Sequence, residues 1–361
     1  MESNAAAKQR QSNMELLRIL AMMGVIALHY NGLGEYGGFA LTQNSFNLTL
    51  LEINECFWAW PVNAFIMLSG YFLYKRKKAD NGIMYIYKPV KLFAQLVVFQ
   101  MLAYALEVFG GQREFKIMAL LFCIVPDNYF VVLYITLYLF SPFVNRLFNS
   151  LDKRSKLLLG AMMFAVFSLW AYSVDLLEIL LDRSLGQSSP VAYGGDTNGY
   201  TVVNFLLCYL IGALLGSGDF SIRRPVAVFA GTTAVNCLLG QMIGIYPAVA
   251  YSNPLVIVQA ASLLSAFEKL NIAHSSVINR LAGASFTVYL AHTFFIKLCH
   301  VEKFVNLHPL VMLAHIALCQ IGIYMACFVI YLIYDAVTKP VFNRLRKRVN
   351  AFEIRAESIS T

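Results

Sequence analysis

The sequence predicts an all-α fold, a polytopic bundle of about ten transmembrane helices with both termini in the cytoplasm. Two features of composition predict the bundle: 59% of the 361 residues are hydrophobic and only 13% are charged, and the mean hydropathy is +0.62. A third feature is that the charged residues are concentrated in short segments between apolar runs of about 18 to 25 residues. This composition excludes an ordinary water-soluble domain.

The apolar runs give the candidate spans in order. We predict spans at 14–31, 56–74, 89–109, 129–148, 157–181, 201–217, 226–243, 252–269, 283–300 and 311–335. The apolar segment 116–126 is too short to cross a bilayer, so we interpret it as interfacial or re-entrant. The longest connections, 31–55 and 182–200, are predicted to be outer loops. Both are rich in Gly, Asn and Ser, which suits hydrogen bonding to a hydroxylated partner but equally suits plain turns.

The chain is predicted to form one membrane domain, residues 14–337. A cytoplasmic N-terminal tail, 1–13, precedes it, and a basic cytoplasmic tail, 338–361, follows it. The first span lacks a small-residue cleavage site, so we interpret it as an uncleaved anchor. The seven cysteines lie mostly within spans and predict neither a disulfide framework nor a metal site.

The basic residues set the predicted orientation, because Lys and Arg in short loops stay on the cytoplasmic side. With the N-terminus inside, 23 of the 28 basic residues lie in inner segments and 5 in outer segments. This asymmetry and attraction to membrane lipids account for the net charge of +8 without a nucleic-acid partner. We therefore expect a multi-pass protein of the inner (cytoplasmic) membrane, whose basic face would also suit a polyanionic cytosolic ligand.

A charged or ionisable group at mid-bilayer costs about 3 kcal/mol, so each one within a span is a candidate functional residue. Arg18 and His29 share the first span eleven positions apart, which places them on one helix face about 16 Å from each other. Alternatively, Arg18 is a snorkelling anchor paired with Glu15, and His29 is a packed structural histidine. Their shared face favours the functional interpretation.

Two later spans also carry polar residues at spacings of three and four residues, which puts them on one face of each helix. The fourth span carries Tyr134, Tyr138, Ser141 and Asn145, and the ninth carries Ser285, Tyr289 and His292. Near the end of the second span, Ser69 and Gly70 let a neighbouring helix or a ligand approach closely. Interhelical hydrogen bonding explains these stripes as well as a cavity does, although three stripes in one bundle favour a cavity. Because no phosphate loop, nucleophile elbow or carboxylate pair is present in the sequence, catalysis must depend on His and Arg.

Four segments resemble the acyltransferase 3 family of bacterial membrane O-acyltransferases. They are NMELLRILAMMGVIALHY, with the family's spacing of Arg18 and His29, then VNAFIMLSGYFLYK, YITLYLFSPFVN and ASFTVYLAH, in the family's order between residues 13 and 292. Many members carry paired arginines after the second helix, where this chain has Lys88 and Lys91. The resemblance implies a stand-alone membrane transferase that moves an acyl group, usually acetyl from acetyl-CoA, to a hydroxyl of a surface glycan or its lipid-linked precursor.

The resemblance also implies roles for the polar residues. His29 is expected to be the general base, and Arg18 to hold the phosphates of the donor. Four basic residues would help Arg18: Lys75, Arg76, Lys88 and Lys91. The other candidates for binding substrate or orienting His29 are Ser69, Tyr134, Tyr138, Ser141, Asn145, Ser285, Tyr289 and His292. Acyl-CoA and a glycan acceptor are the expected partners, with no bound cofactor and no metal.

Two alternatives belong to other functional classes. A transporter or flippase for a glycan precursor would also need polar stripes inside a helix bundle, and it would consume no acyl-CoA. A binding or scaffold protein without chemistry is the third interpretation. The presence of both Arg18 and His29 argues against it.

Overall fold

The computed structural model describes residues 10–75, 82–111, 113–125, 128–193, 195 and 197–360. The described residues are 80% helical and contain no strand. The predicted all-α class is therefore confirmed.

The helices follow one another with short connections. In chain order they are α1 (Ser12–Gly32), α2 (Gly38–Leu41), α3 (Ser45–Phe57), α4 (Pro61–Leu73), α5 (Gly82–Phe109), α6 (Ile117–Phe122), α7 (Tyr129–Ser150), α8 (Lys153–Phe164), α9 (Ala171–Leu181), α10 (Val202–Ser217), α11 (Pro225–Ile243), α12 (Ile245–Ala248), α13 (Pro254–Glu268), α14 (Ser276–Ala282), α15 (Ser285–Ile296), α16 (Val301–Phe304) and α17 (Pro309–Ser360). A π-helical turn, Ala165–Trp170, joins α8 to α9.

Within the described part of the chain, seven helical segments are long and apolar enough to cross a membrane. They are Ser12–Gly32, Ser45–Leu73, Tyr85–Phe109, Tyr129–Ser150, Lys153–Leu181, Pro225–Ile243 and Pro309–Val349. The helices α10, α13 and α15 are apolar but shorter. Each of the ten predicted spans falls largely on a helix, while the count of ten crossings and the cytoplasmic placement of both termini stay predictions.

The first long connection is not the loop that the sequence predicted. Ser45–Phe57 forms α3, and the side chain of Asn44 caps its N-terminus by accepting hydrogen bonds from the amides of Phe46 and Asn47. α3 and α4 form one broken helical segment, with Pro61 in the first turn of α4. Asn and Ser in this stretch indicated turns, whereas Asn44 caps a helix instead.

The short apolar segment contains α6, none of whose residues is buried. The hydroxyl of Tyr104 on α5 holds its start, because it accepts from the amide of Lys116 at 2.7 Å and donates to the carbonyl of Lys116 at 3.0 Å. The exposed apolar side chains of Met118 and Phe122 suit contact with lipid. The interfacial or re-entrant placement of this segment stays a prediction.

Glycines let the backbones of α4 and α10 approach closely. A Cβ atom on Gly70 would overlap the carbonyl oxygen of Tyr209, and one on Gly212 would overlap that of Met67. Small residues at helix crossings are typical of membrane bundles, where van der Waals packing replaces the hydrophobic driving force. This pair packs beside α1, which also contacts α14, α15 and α17.

Gly212→Ala is expected to lower the free energy of unfolding by about 1–3 kcal/mol, since the added methyl group has no room against the backbone of Met67. Gly231→Ala on α11 is the matched control, because no atom lies within 4 Å of a Cβ at that position. Thermal unfolding in detergent micelles measures both. Equal stability of the two variants would contradict the close packing of α4 on α10.

Candidate active site

Helix α1 positions both residues that the sequence singled out first. Its apolar side chains, such as Leu17 and Ile26, are fully buried, so the helix lies inside the bundle. A buried helix must pair its polar side chains with protein groups or place them in a cavity. Arg18 lines one cavity and His29 lines another.

The cavity that contains Arg18, here called the Arg18 cavity, has a volume of about 320 Å³. Six of the candidate residues line it: Arg18, Ser69, Lys88, Tyr134, Ser285 and Tyr289. Arg10 lines it as well, and its guanidinium donates to the carbonyl of Asn279 at 3.1 Å. The charged side chains that line this cavity in the described chain are all cationic.

Two of these cations are held by different contacts. Arg18 forms an ion pair with the buried carboxylate of Glu15, as the anchor interpretation requires, and it still lines the cavity. The ammonium of Lys88 lies 4.8 Å from the ring centre of Tyr138 and 5.9 Å from that of Tyr134, which is a cation–π arrangement. Cations gathered around one cavity attract an anionic ligand.

The two histidines lie side by side, with ring centres 4.6 Å apart and ring planes at 81°. His29 Nδ1 lies 2.9 Å from the carbonyl oxygen of Val25. His292 Nδ1 lies 3.0 Å from the carbonyl oxygen of Val288 and 2.8 Å from that of Tyr289. Because a carbonyl only accepts, each Nδ1 carries the proton and each Nε2 is the basic nitrogen. Among the described residues, the buried Nε2 of His292 has no hydrogen-bond partner.

The cavity that contains His29, here called the His29 cavity, has a volume of about 210 Å³. Leu28 and His29 of α1 line it, whereas Met22 and Val25 of the same helix line the Arg18 cavity. The wall that α1 provides thus changes from one cavity to the other just before His29. Side chains from other elements complete the His29 cavity, namely Phe39, Glu55, Tyr200, Tyr246 and Tyr251.

A wider cleft of about 490 Å³ adjoins the His29 cavity. Both spaces include Asn198 and Ala250 in their walls. Asp175 and Glu178, near the end of α9, line the cleft. The cleft and the His29 cavity therefore share part of their walls.

The polar stripe of α7 divides between the cavity and helix packing. Tyr134 lines the Arg18 cavity, whereas Ser141 and Asn145 are buried between helices. Asn145 donates to the carbonyl of Leu73 at 2.8 Å and accepts from the hydroxyl of Tyr209 at 2.8 Å. These bonds join α7 to α4 and α10, as the interhelical alternative for this stripe expected. Tyr138 is buried too, and its carbonyl accepts from Ser141 at 2.8 Å.

The remaining basic candidates do not line the Arg18 cavity as the structure describes it. The ammonium of Lys75 lies 5.4 Å from the ring centre of Tyr74, and that of Lys91 lies 5.3 Å from the ring centre of Phe342 on α17. Arg76 lies outside the described residues.

Arg10 and Glu55 line the cavities, although the sequence did not predict them as residues of the site. The sequence places Glu55 at the end of the predicted outer loop, directly before the apolar run that starts at residue 56. In the structure its side chain is buried on α3, and Asn31 Nδ2 donates to its Oε2 at 2.7 Å. The sequence signal that could have placed Glu55 inside the bundle is its spacing of four residues from Leu51, which puts both side chains on one face of a helix.

The structure is that of a helical membrane protein in which successive parts of α1 line a cationic cavity and the cavity that contains His29. The chain matches the acyltransferase 3 family model, described as an acyltransferase domain, over residues 11–341. It therefore belongs to this family, which confirms the resemblance of the four segments and makes it an acyltransferase. No curated protein and no solved structure matches the chain.

Asn145→Ala is expected to lower the free energy of unfolding by about 1–3 kcal/mol, because the buried hydroxyl of Tyr209 loses its acceptor. Thr136→Ala on the same helix is the control, since the Thr136 hydroxyl donates within α7 to the carbonyl of Val132. Unfolding in detergent and acyl transfer are measured together. Unchanged stability with lost transfer would place Asn145 in the substrate site instead.

Proposed function

We propose that this protein transfers an acetyl group from cytosolic acetyl-CoA to a hydroxyl of a cell-surface or lipid-linked polysaccharide. The observation that carries this proposal is the position of His29. The basic nitrogen of His29 is Nε2. On the same helix, Met22 and Val25 line the cationic Arg18 cavity, whereas Leu28 and His29 line the His29 cavity. A base between a site for an anionic donor and a site for a hydroxylated acceptor suits acyl transfer.

The Arg18 cavity is the proposed donor site. Coenzyme A carries several phosphate charges, and Arg10, Arg18 and Lys88 offer cations to them. Arg18 provides a planar guanidinium for bidentate contact, whereas Lys88 provides a point charge. The uncharged polar groups of Ser69 and Tyr134 continue the lining of this cavity, where the pantetheine arm and the thioester would lie.

The chemistry is a transfer of one acyl group with one proton. His29 Nε2 takes the proton of the acceptor hydroxyl as its oxygen attacks the thioester carbonyl. The C–O bond of the ester forms, the C–S bond breaks, and the proton passes from the imidazolium to the coenzyme A thiolate. His292 cannot donate from Nε2 in its present tautomer, so it is proposed to accept a hydrogen bond from the protonated His29. Ser285 and Tyr289 are the proposed donors to the developing oxyanion. Their hydroxyls donate to the carbonyl of Ala282 and to Asn128 Oδ1 in this structure, so each O–H would turn toward the oxyanion during transfer.

The proposed location is the inner membrane, with the Arg18 cavity toward the cytoplasm. This orientation follows the excess of basic residues in the segments predicted to be inner. It also puts the donor cavity on the side where acetyl-CoA occurs.

His29→Ala is expected to reduce acetyl transfer by about 10²- to 10⁴-fold, because the hydroxyl loses its proton acceptor. His274→Ala is the matched control, since His274 is exposed in the connection before α14. Label transferred from acetyl-CoA to surface polysaccharide, and released by mild alkali, is measured in both. A His29 variant that keeps transfer would exclude the base, and a wild type that moves glycan without releasing coenzyme A would favour the transporter.

Lys88→Ala is expected to raise the KM for acetyl-CoA about 5- to 10-fold with kcat nearly unchanged, because one phosphate contact is lost. Arg18→Lys should have a similar effect through loss of the bidentate contact. Lys297→Ala is the control, since that exposed ammonium lies against the ring of Tyr36, away from the Arg18 cavity. An unchanged KM for acetyl-CoA in the Lys88 and Arg18 variants would rule out their proposed role.

A further inference from the structure

Glu55 is a buried carboxylate that the mechanism above leaves without a role. It is 8% exposed and lines the His29 cavity. Asn31 Nδ2 donates to its Oε2 at 2.7 Å, and no ion pair involves Glu55 among the described residues. A carboxylate has about four acceptor positions, so most of its hydrogen-bonding capacity is left for a group in the cavity.

A purely structural role does not explain a carboxylate at this position. The Asn31 amide also lies 3.3 Å from the carbonyl oxygen of Leu51 and 3.2 Å from Asn54 Oδ1. The link between α1 and α3 therefore has two further acceptors besides Glu55. The bond to Asn31 therefore does not account for the whole side chain of Glu55, which lines the cavity and is available to a group from outside the protein.

The rest of the cavity lining indicates the chemistry of that partner. The rings of Tyr200 and Tyr251 meet edge to face with centres 5.1 Å apart, and Tyr246 is exposed beside them. Aromatic rings with a hydrogen-bonding tip and a few placed polar groups suit a ligand with both apolar and hydroxylated faces. Unlike the Arg18 cavity, the described lining here includes no Lys or Arg, so it does not suit a phosphate or a uronate.

We infer that the His29 cavity holds one sugar residue of the acceptor and that Glu55 orients this residue, by accepting a hydrogen bond from a hydroxyl next to the one that is acylated. The sugar is neutral or carries an amino group, because the described lining of the His29 cavity has no Lys or Arg to pair with an anionic one. Tyr200 and Tyr246 cover the apolar face of the ring. This inference rests on the proposed function and names the acceptor class of the same site. Glu55 is a substrate-positioning residue, while His29 performs the proton transfer.

The test compares Glu55→Gln and Glu55→Ala with the wild type in proteoliposomes. The assay supplies labelled acetyl-CoA and the de-O-acylated surface polysaccharide of the source cells. Glu55→Gln keeps an oxygen for Asn31 and so protects the fold, which a thermal unfolding curve checks. Glu52→Gln is the matched control, because that carboxylate of α3 accepts from Gln241 at 2.6 Å and does not line the His29 cavity.

Both Glu55 variants are expected to need about 10- to 100-fold more polysaccharide for half-maximal transfer, since a buried site left unpaired rejects its ligand strongly. Their KM for acetyl-CoA should equal that of the wild type and of Glu52→Gln. The role of Glu55 would be overturned if the wild type transfers label but the variants need no more polysaccharide than it does for half-maximal transfer. An equal rise in the KM for acetyl-CoA would overturn it too. If the wild type transfers no label, the proposed function fails first and this inference fails with it.

Discussion

The structure depends on the requirement that polar groups within a buried helix find partners in the protein. Helix α1 carries Arg18, His29 and Asn31 through the inside of the bundle, and each has a different partner. Arg18 pairs with Glu15, His29 donates to the carbonyl of Val25, and Asn31 links α1 to α3. These bonds hold the side chains in place, with Arg18 at one cavity, His29 at another and Asn31 between helices.

The same requirement connects packing with the proposed chemistry. The bond from His29 Nδ1 to Val25 is a packing bond of α1, and it leaves Nε2 unprotonated as a base needs. His292 follows the same rule on α15, and its ring lies against that of His29, which lines the His29 cavity. The glycine-based contact of α4 with α10 supplies a rigid neighbour for α1, which keeps a site of this kind in register.

The sequence predicted the class of fold because apolar runs between basic segments have few other solutions in a bilayer. It also predicted the pairing of Arg18 with Glu15 as one of two interpretations. It named Ser69, Tyr134 and Ser285 as candidate binding residues, and all three line the Arg18 cavity. The sequence did not predict the placement of side chains whose position depends on contacts between distant helices. Glu55 falls in a predicted loop because hydropathy alone does not show that Asn44 caps the helix α3, which contains Glu55. Ser141 and Asn145 share a stripe with Tyr134, yet the close approach of α4 and α10 draws them into packing.

The most direct test of the account is a structure determined with a non-hydrolysable acetyl-CoA analogue, in which a methylene group replaces the thioester sulfur. The account predicts that the phosphates contact Arg10, Arg18 and Lys88, and that the acyl carbonyl lies next to His29 at the border of the two cavities. An analogue whose phosphates lie away from the Arg18 cavity, or whose carbonyl is separated from His29 by packed side chains, would contradict it.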